Sequence, residues 1–149
     1  MALFKLLHIF SVVVWVGGMF FAYMVLRPVA ADVLHAPERL RLWDKVFSCF
    51  FNWVWLALLL LLVSGFYMIY LSGGMAHVPR HVHAMLLLGI LMMIIFVHVF
   101  FSYYVRFNLL IAQQDWLKAG TVLATIRKLV AVNLLLGMLT IAVAIISKG

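Results

Sequence analysis

The strongest constraint on the fold is a set of four long stretches without a charged residue. These stretches are residues 6–26, 46–79, 81–105 and 129–147. About 20 residues of helix cross the hydrocarbon core of a bilayer, and a helix satisfies its backbone hydrogen bonds within one spanning segment. The sequence therefore predicts an all-α integral membrane protein, an up-down bundle of four transmembrane helices. We expect these helices near residues 3–26, 46–71, 81–105 and 129–147.

The composition supports the same fold class. Hydrophobic residues make up 68% of the 149-residue chain and charged residues only 10%, which no soluble domain of this size could bury. The length suits a single domain, residues 1–149. The first segment could also be a cleaved signal peptide, but its apolar run is longer than usual and no convincing cleavage site follows it.

The basic residues predict how the helices are oriented. Lys and Arg are concentrated in the connections 27–45 and 106–128, and the other end of the bundle has only Lys5, Arg80 and Lys148. By the positive-inside rule, both long connections lie in the cytoplasm, and the two termini and the turn 72–80 lie outside. The anionic inner leaflet then accounts for the net charge of +7, without a nucleic-acid partner.

The two cytoplasmic connections are expected to carry local structure. Pro37 followed by ERLRLWDK predicts a short helix that begins at the proline. In the second connection, Leu109, Leu110, Trp116 and Leu117 predict a segment that lies on the inner membrane surface.

Small residues in the first helix predict a close helix contact. Gly17 and Gly18, with Ala22 one turn further on, would let another helix approach closely. The same gap could make room for a flat ligand.

The acidic residues and the cysteine exclude several kinds of chemistry. All four carboxylates are expected in the cytoplasmic connections: Asp32, Glu38, Asp44 and Asp115. Proton-driven transporters usually place carboxylates within the membrane, so this distribution argues against one. The single cysteine, Cys49, excludes an intramolecular disulfide and is expected to be a small core residue.

Histidine is the residue type that remains for chemistry, and the chain has six. His8 and His83 each lie a few residues from the outer end of a helix, at the same depth to within about one turn. Helices 1 and 3 of an up-down bundle are diagonal neighbours across the core. Two imidazoles placed in this way predict axial ligation of a haem iron, with Lys5 and Arg80 able to pair with its propionates. His35, in the first connection, is expected to be solvated.

A histidine deeper in the membrane indicates that a second haem could bind. His98 lies fifteen residues beyond His83, about 22 Å deeper and on roughly the same helix face. A second haem there would need Met24 or another methionine as its other ligand, or a single axial ligand. Alternatively, the histidines only bond a Ser, a Thr or a backbone carbonyl of the next helix. His77 and His81 are expected to be solvated at the interface.

Methionine and histidine together offer a different ligand set. The chain has nine methionines, most of which would fill the core. Met85, Met92 and Met93 lie among the histidines of the third helix, and thioether and imidazole ligands suit Cu(I). The candidate metal ligands are His8, His81, His83 and His98.

The first helix resembles that of a known family. Residues 6–28, LLHIFSVVVWVGGMFFAYMVLRP, resemble the first helix of the copper-resistance D (CopD) family of bacterial inner-membrane proteins. The shared pattern is a histidine, a Trp-x-Gly-Gly motif and an Arg-Pro exit, here His8, Trp15, Gly17, Gly18, Arg27 and Pro28. The stretches VSGFYMIY, HVHAMLLLGILMMIIFVH and IRKLVAVNLLLG continue the likeness over nearly the whole chain.

This resemblance implies a multi-pass protein of the bacterial inner membrane and, from the family name, copper. The layout is also similar to HemJ, the membrane protoporphyrinogen oxidase, which opens with Lys-x-x-His as Lys5 and His8 do here. The chain departs from HemJ after the first helix, with Val-Leu-Arg-Pro in place of a Leu-Pro-Arg-Leu-Phe-type exit. Both families are grouped with membrane b-type cytochromes, which implies haem b.

Four functions follow from these observations. The first is a cytochrome-like protein that binds one or two haem b groups and transfers electrons between quinol and a periplasmic redox partner. The second is a copper-handling protein with His and Met ligands, and the third is a HemJ-like oxidase. The fourth is a small accessory subunit whose histidines only pack. A homo-oligomer is compatible with each of them.

Overall fold

The computed structural model describes residues 1–147, and within them all regular structure is helical. Four helices are long and apolar enough to cross a membrane: α1 (Ala2–Val33), α2 (Ala36–Leu71), α3 (Arg80–Ala112) and α4 (Trp116–Ile146). The prediction of an all-α membrane protein with four spans is confirmed. Lys148, which was counted at the outer end, lies outside the described residues.

The helices extend well beyond the predicted spans at one end of the bundle. The predicted spans 3–26, 46–71 and 81–105 lie inside longer helices, and 129–147 does so except for its last residue. The expected connections 27–45 and 106–128 are therefore mostly helical. The actual connections are residues 34–35 and 113–115. The uncharged stretches mark the apolar part of each helix, and its ends are set by other signals.

Local signals explain where these helices begin. Pro37 occupies the first turn of α2, where its missing N–H costs nothing, but the helix continues into the span and is not a short separate element. The Asp115 carboxylate caps α4 by accepting a hydrogen bond from the Lys118 backbone N–H at 3.2 Å. The segment expected on the membrane surface is therefore the end of α3 and the start of α4.

Two of the four helices contain π-helical turns. In α1 these are Val13–Gly17 and Ala22–Leu26, and in α3 the turn is Val99–Tyr104. The second turn of α1 ends two residues before Pro28, which lies in the first turn of an α-helical segment. The wider turn accommodates a residue that cannot donate a backbone hydrogen bond. Such turns occur frequently at functional sites.

The helices pack as two hairpins. α1 packs against α2, α3 packs against α4, and the hairpins meet through contacts of α4 with α1 and α2 and of α2 with the last part of α3. The helices α1 and α3 are the diagonal pair, as the up-down topology predicts.

The hairpins are packed together at one end and separate at the other. We call the end with connections 34–35 and 113–115 the closed end, and the end with residues 2–12, 72–79, 80–91 and 138–147 the open end. Toward the open end, Ala2–Val12 packs against α2, whereas Arg80–His98 packs against α4. No residue of 80–91 or 138–147 is buried.

Glycine sets the closest helix approaches. A Cβ on Gly137 of α4 would lie 2.9 Å from Val16 of α1 and 3.2 Å from Met92 of α3, so three helices meet at this level. A Cβ on Gly18 would overlap the Phe50 ring of α2, whereas one on Gly17 would have no heavy atom within 4 Å. The predicted close contact in the first helix is confirmed for Gly18 and not for Gly17.

Candidate histidine site at the open end

His8 is held against α2 by a buried serine. The His8 Nδ1 and Ser64 Oγ atoms are 2.9 Å apart, and the Ser64 hydroxyl donates to the Leu60 carbonyl. A hydroxyl has one proton, so Ser64 accepts from His8, and neutral His8 carries its proton on Nδ1. Nε2 then carries the lone pair and is the ring nitrogen that could bind a metal.

The surrounding contacts fix the position of the His8 ring. A Cβ on Gly65 would lie 3.4 Å from His8 Cε1, so this glycine lets the ring rest directly on the α2 backbone. One turn nearer the end of the bundle, the Phe4 and Tyr67 rings stack with centroids 4.1 Å apart. These contacts seat the beginning of α1 on α2.

Two more histidines of the open end share this hydrogen-bond pattern. His77 donates from Nδ1 to the Gly73 carbonyl at 2.9 Å, and His83 donates from Nδ1 to the Pro79 carbonyl at 3.3 Å. A carbonyl can only accept, so the neutral form of each ring has its lone pair on Nε2. Metal-binding histidines usually bond a second group through the other ring nitrogen in this way.

The predicted ligands at the open end do not form a closed cluster. The His8 imidazole forms its hydrogen bond with α2. His83 is exposed at the start of α3, and this part of α3 packs against α4. Among residues 1–147, no three His, Cys, Asp or Glu side chains are gathered so that they could hold a metal ion. His81 is half-buried, and Lys5 and Arg80 are exposed. The pairing of His8 with His83 stays a prediction.

The deeper histidine lies on the outer surface of the bundle. His98 is exposed, and its Nδ1 lies 3.3 Å from the Ser102 Oγ. It lines a shallow surface groove together with Met93 and Phe101. Met92, by contrast, is buried in the bundle, so it lies on another face of the helix.

The methionine considered as a partner for a deep haem also faces outward. Met24 of α1 is 54% exposed, on the outer surface of the bundle. A ligand shared by Met24 and a histidine of α3 would have to lie outside the packed core.

Sequence reasoning misplaced two residues near the closed end. Asp44 was expected in a solvated connection, but it is only 9% exposed and accepts a hydrogen bond from Asn108 Nδ2 at 2.9 Å. The signal was present, because Asp44 falls in the same helical stripe as the core residues Leu40 and Phe47. Cys49, expected in the core, is exposed.

A comparison with protein families gives the second line of evidence. The family model described as copper resistance protein D matches residues 44–147, more than two thirds of the chain. The chain belongs to the CopD family. A search of curated proteins and a search of solved structures found no match.

The CopD match covers most of α2 and all of α3 and α4, but not α1. The resemblance noted in the sequence came mainly from residues 6–28, so the two observations concern different parts of the chain. His77, His81, His83 and His98 lie inside the matched range, and His8 lies outside it.

Proposed function

We propose that this chain is a copper-handling membrane protein that binds Cu(I) at the open end of its bundle. The observation that carries the proposal is CopD membership over residues 44–147. The structure supports it through His8, His77 and His83, whose Nδ1 atoms are all engaged and whose Nε2 atoms remain available.

The chemistry of the open end fits a soft monovalent ion. Imidazole nitrogen and thioether sulfur both suit Cu(I), and Met75 and Met85 lie at the same end as the three histidines. Because no residue of 80–91 or 138–147 is buried at this end, we propose that copper binding draws ligands from both hairpins.

Copper affinity tests this assignment directly. Cu(I) is titrated under reducing conditions against a chromophoric chelator, with the wild type, His8→Ala and His35→Ala compared in detergent. We expect His8→Ala to weaken binding at least about tenfold, in line with the loss of a metal-binding group. His35→Ala should bind as the wild type does, because His35 is an exposed residue at the other end. Equal affinities of all three proteins would contradict the role of His8.

Haem b is a second candidate, favoured by the separation of the two hairpins at the open end. A flat macrocycle between them would have His8 of α1 and His83 of α3 on opposite sides, with Lys5 and Arg80 at its edge. The function would then be electron transfer. His83→Ala should remove the Soret band of protein made in haem-supplied cells, and His81→Ala should not. Loss of the band only in the second variant would reverse the assignment.

A quinol is the electron donor that fits this second candidate. His98 presents its ring to the lipid side of α3 in a groove with Met93 and Phe101. Ser102 already bonds the Nδ1 atom of His98, and a quinol hydroxyl that came from the membrane could bond the other ring nitrogen. Reduction of the haem by a quinol analogue should be lost in His98→Leu and kept in Ser102→Ala. Unchanged rates in His98→Leu would exclude this route.

We also propose that the open end faces the periplasm from the bacterial inner membrane. Arg27, Arg39, Arg41 and Lys45 lie near the closed end, together with Arg106, Lys118, Arg127 and Lys128, which supports a cytoplasmic location for it. A membrane-impermeant thiol reagent tests this orientation in intact cells, with Cys49→Ser as the background. The variant Ser72→Cys made in that background should react, and Gln114→Cys should not. The reverse pattern would invert the orientation.

A further inference from the structure

We infer that the core of the bundle contains a binding site for one internal water molecule, held by Asn133 of α4. Asn133 is 3% exposed, and its Oδ1 has no hydrogen-bond partner among the described residues. A buried amide oxygen without a partner carries a large desolvation penalty, and buried polar groups in proteins are regularly satisfied by ordered water.

A cavity of the right size adjoins this side chain. It measures about 20 Å³ and is lined by Asn133 together with Trp15, Met19, Phe51 and Phe96 among others. A cavity needs roughly 10–15 Å³ of this kind of volume to hold one water molecule. The space therefore accepts a single water and is too small for a chain of them.

Trp15, which also lines the cavity, could serve as a second polar partner. Trp15 of α1 is buried, and its indole N–H is a hydrogen-bond donor. A water that donates to Asn133 Oδ1 and accepts from Trp15 would connect α4 to α1 without a direct side-chain contact. Trp15 belongs to the π-helical turn Val13–Gly17, so the link would hold the irregular part of α1 to a regular helix.

Neutral water fits the site better than a metal ion does. None of the described lining residues is charged, and an ion placed in an apolar shell without a countercharge is strongly disfavoured. Met19 lines the cavity and could offer a thioether ligand. The only other ligand atom that we identify for a metal there is the Asn133 amide oxygen. This site is thus distinct from the histidines of the open end, and its water does not depend on copper binding.

The position of the site gives the water a structural role. Gly137 lies one helical turn from Asn133, at the level where α1, α3 and α4 meet. Toward the open end from this level the hairpins separate. The proposed water would therefore bond α1 to α4 at the edge of the packed region.

Isotope-edited infrared spectroscopy of the full-length protein tests the inference. A hydrated membrane film is exchanged from ordinary water to water labelled with heavy oxygen, and the isotope-sensitive band of an isolated water is compared between variants. We expect the band in the wild type and in Asn52→Leu, whose amide is exposed on α2. It should be lost in Asn133→Leu and shifted in Trp15→Phe. A band that persists unchanged in Asn133→Leu would overturn the proposal.

A crystal structure of the copper-loaded wild type provides a second measurement that needs no variant to fold. Density in the cavity within hydrogen-bond distance of Asn133 Oδ1, without an anomalous signal at the copper edge, is the expected result. An anomalous peak there would replace the water with a metal ion. An empty cavity would also refute the inference.

Discussion

At the scale of single residues, the Ser64 hydroxyl proton determines which nitrogen of His8 is free. Ser64 donates to the Leu60 carbonyl and is left to accept from His8. The imidazole is thereby fixed as the form with an Nε2 lone pair, without any charged neighbour. Backbone carbonyls accept from the Nδ1–H groups of His77 and His83 in the same way. Three histidines of the open end therefore carry their lone pair on Nε2.

Removing the serine should weaken copper binding without removing a ligand. Ser64→Ala deletes the acceptor that orients His8, and losing such a supporting partner typically costs about 10- to 100-fold in metal affinity. Ser72→Ala is the matched control, because Ser72 lies at the same end of α2 but bonds only the Met68 carbonyl. Cu(I) competition titrations of both variants make the comparison. A Ser64→Ala protein that binds as tightly as Ser72→Ala would show that the hydrogen bond does not position His8.

The neighbouring glycines of α1 should respond very differently to alanine. Gly18→Ala forces a methyl group into the Phe50 ring, and overpacking of this kind costs about 1–3 kcal/mol. Gly17→Ala meets nothing within 4 Å and should leave stability unchanged or slightly higher. Thermal unfolding in the same detergent decides between them. Equal unfolding temperatures would mean that α1 and α2 are further apart than described.

Single residues were the hardest level to predict from sequence. The polarity of His8 within an apolar helix was plain, and a Ser partner on the next helix was one of the alternatives considered. Which serine it would be depends on how α1 lies on α2, which spacing along one helix does not specify. The burial of Asp44 was missed although its position in a helical stripe of core residues indicated it. Several charged residues lie nearby in the sequence, and they led to its assignment to a connection.

At the scale of elements, α4 shows how a helix can begin far from its apolar part. Asp115 caps it, and the Lys118 side chain lies 3.1 Å from the carboxylate. Hydrogen bonds from Lys118 lower the pKa of Asp115 below its usual value. The ionised carboxylate is therefore favoured in the folded protein, and its stabilising effect is present above the usual carboxyl pKa and is lost as pH falls below it.

A pH series on the cap tests this sign. The unfolding temperature of the wild type minus that of Asp115→Asn should shrink as pH is lowered from neutral through the carboxyl range, because asparagine caps without titrating. Other carboxylates titrate equally in both proteins and cancel in the difference. A difference that stays constant down to strongly acidic pH would mean that the charge of Asp115 has no part in starting α4.

The meeting point of three helices should be sensitive to one methyl group. Gly137→Ala places a Cβ 2.9 Å from Val16 and 3.2 Å from Met92, which we expect to lower stability by about 1 kcal/mol or more. Gly89→Ala on α3 has nothing within 4 Å and serves as the control. The unfolding temperatures of the two variants are compared with that of the wild type. A destabilised Gly89→Ala protein together with an unaffected Gly137→Ala protein would contradict the close approach of α1, α3 and α4 at Gly137.

Elements were predicted well in number and poorly in length. A count of uncharged residues finds the part of a helix that lipid can hold, and it found four. Helix ends at the closed end depend on caps and on prolines such as Pro37, which act regardless of charge. The segments expected to be connections are helical, because basic residues such as Arg39 and Arg127 are good helix formers.

At the scale of the whole molecule, the two hairpins form one core from the closed end to the level of Met92 and Gly137. The diagonal placement of α1 and α3 was predictable from the up-down order of four spans. The separation at the open end was not, because it depends on which faces of α1 and α3 find a partner. At this end His77 and His83 are exposed, and His8 and His81 are half-buried.

Metal content of the purified wild type, measured together with its absorption spectrum, tests the central claim most directly. Protein exposed to Cu(I) under reducing conditions and freed of excess metal should retain copper and show no Soret band, even when it is made in haem-supplied cells. A red protein with a Soret band, sharp reduced α and β bands and no retained copper would contradict the copper assignment and establish haem b in its place.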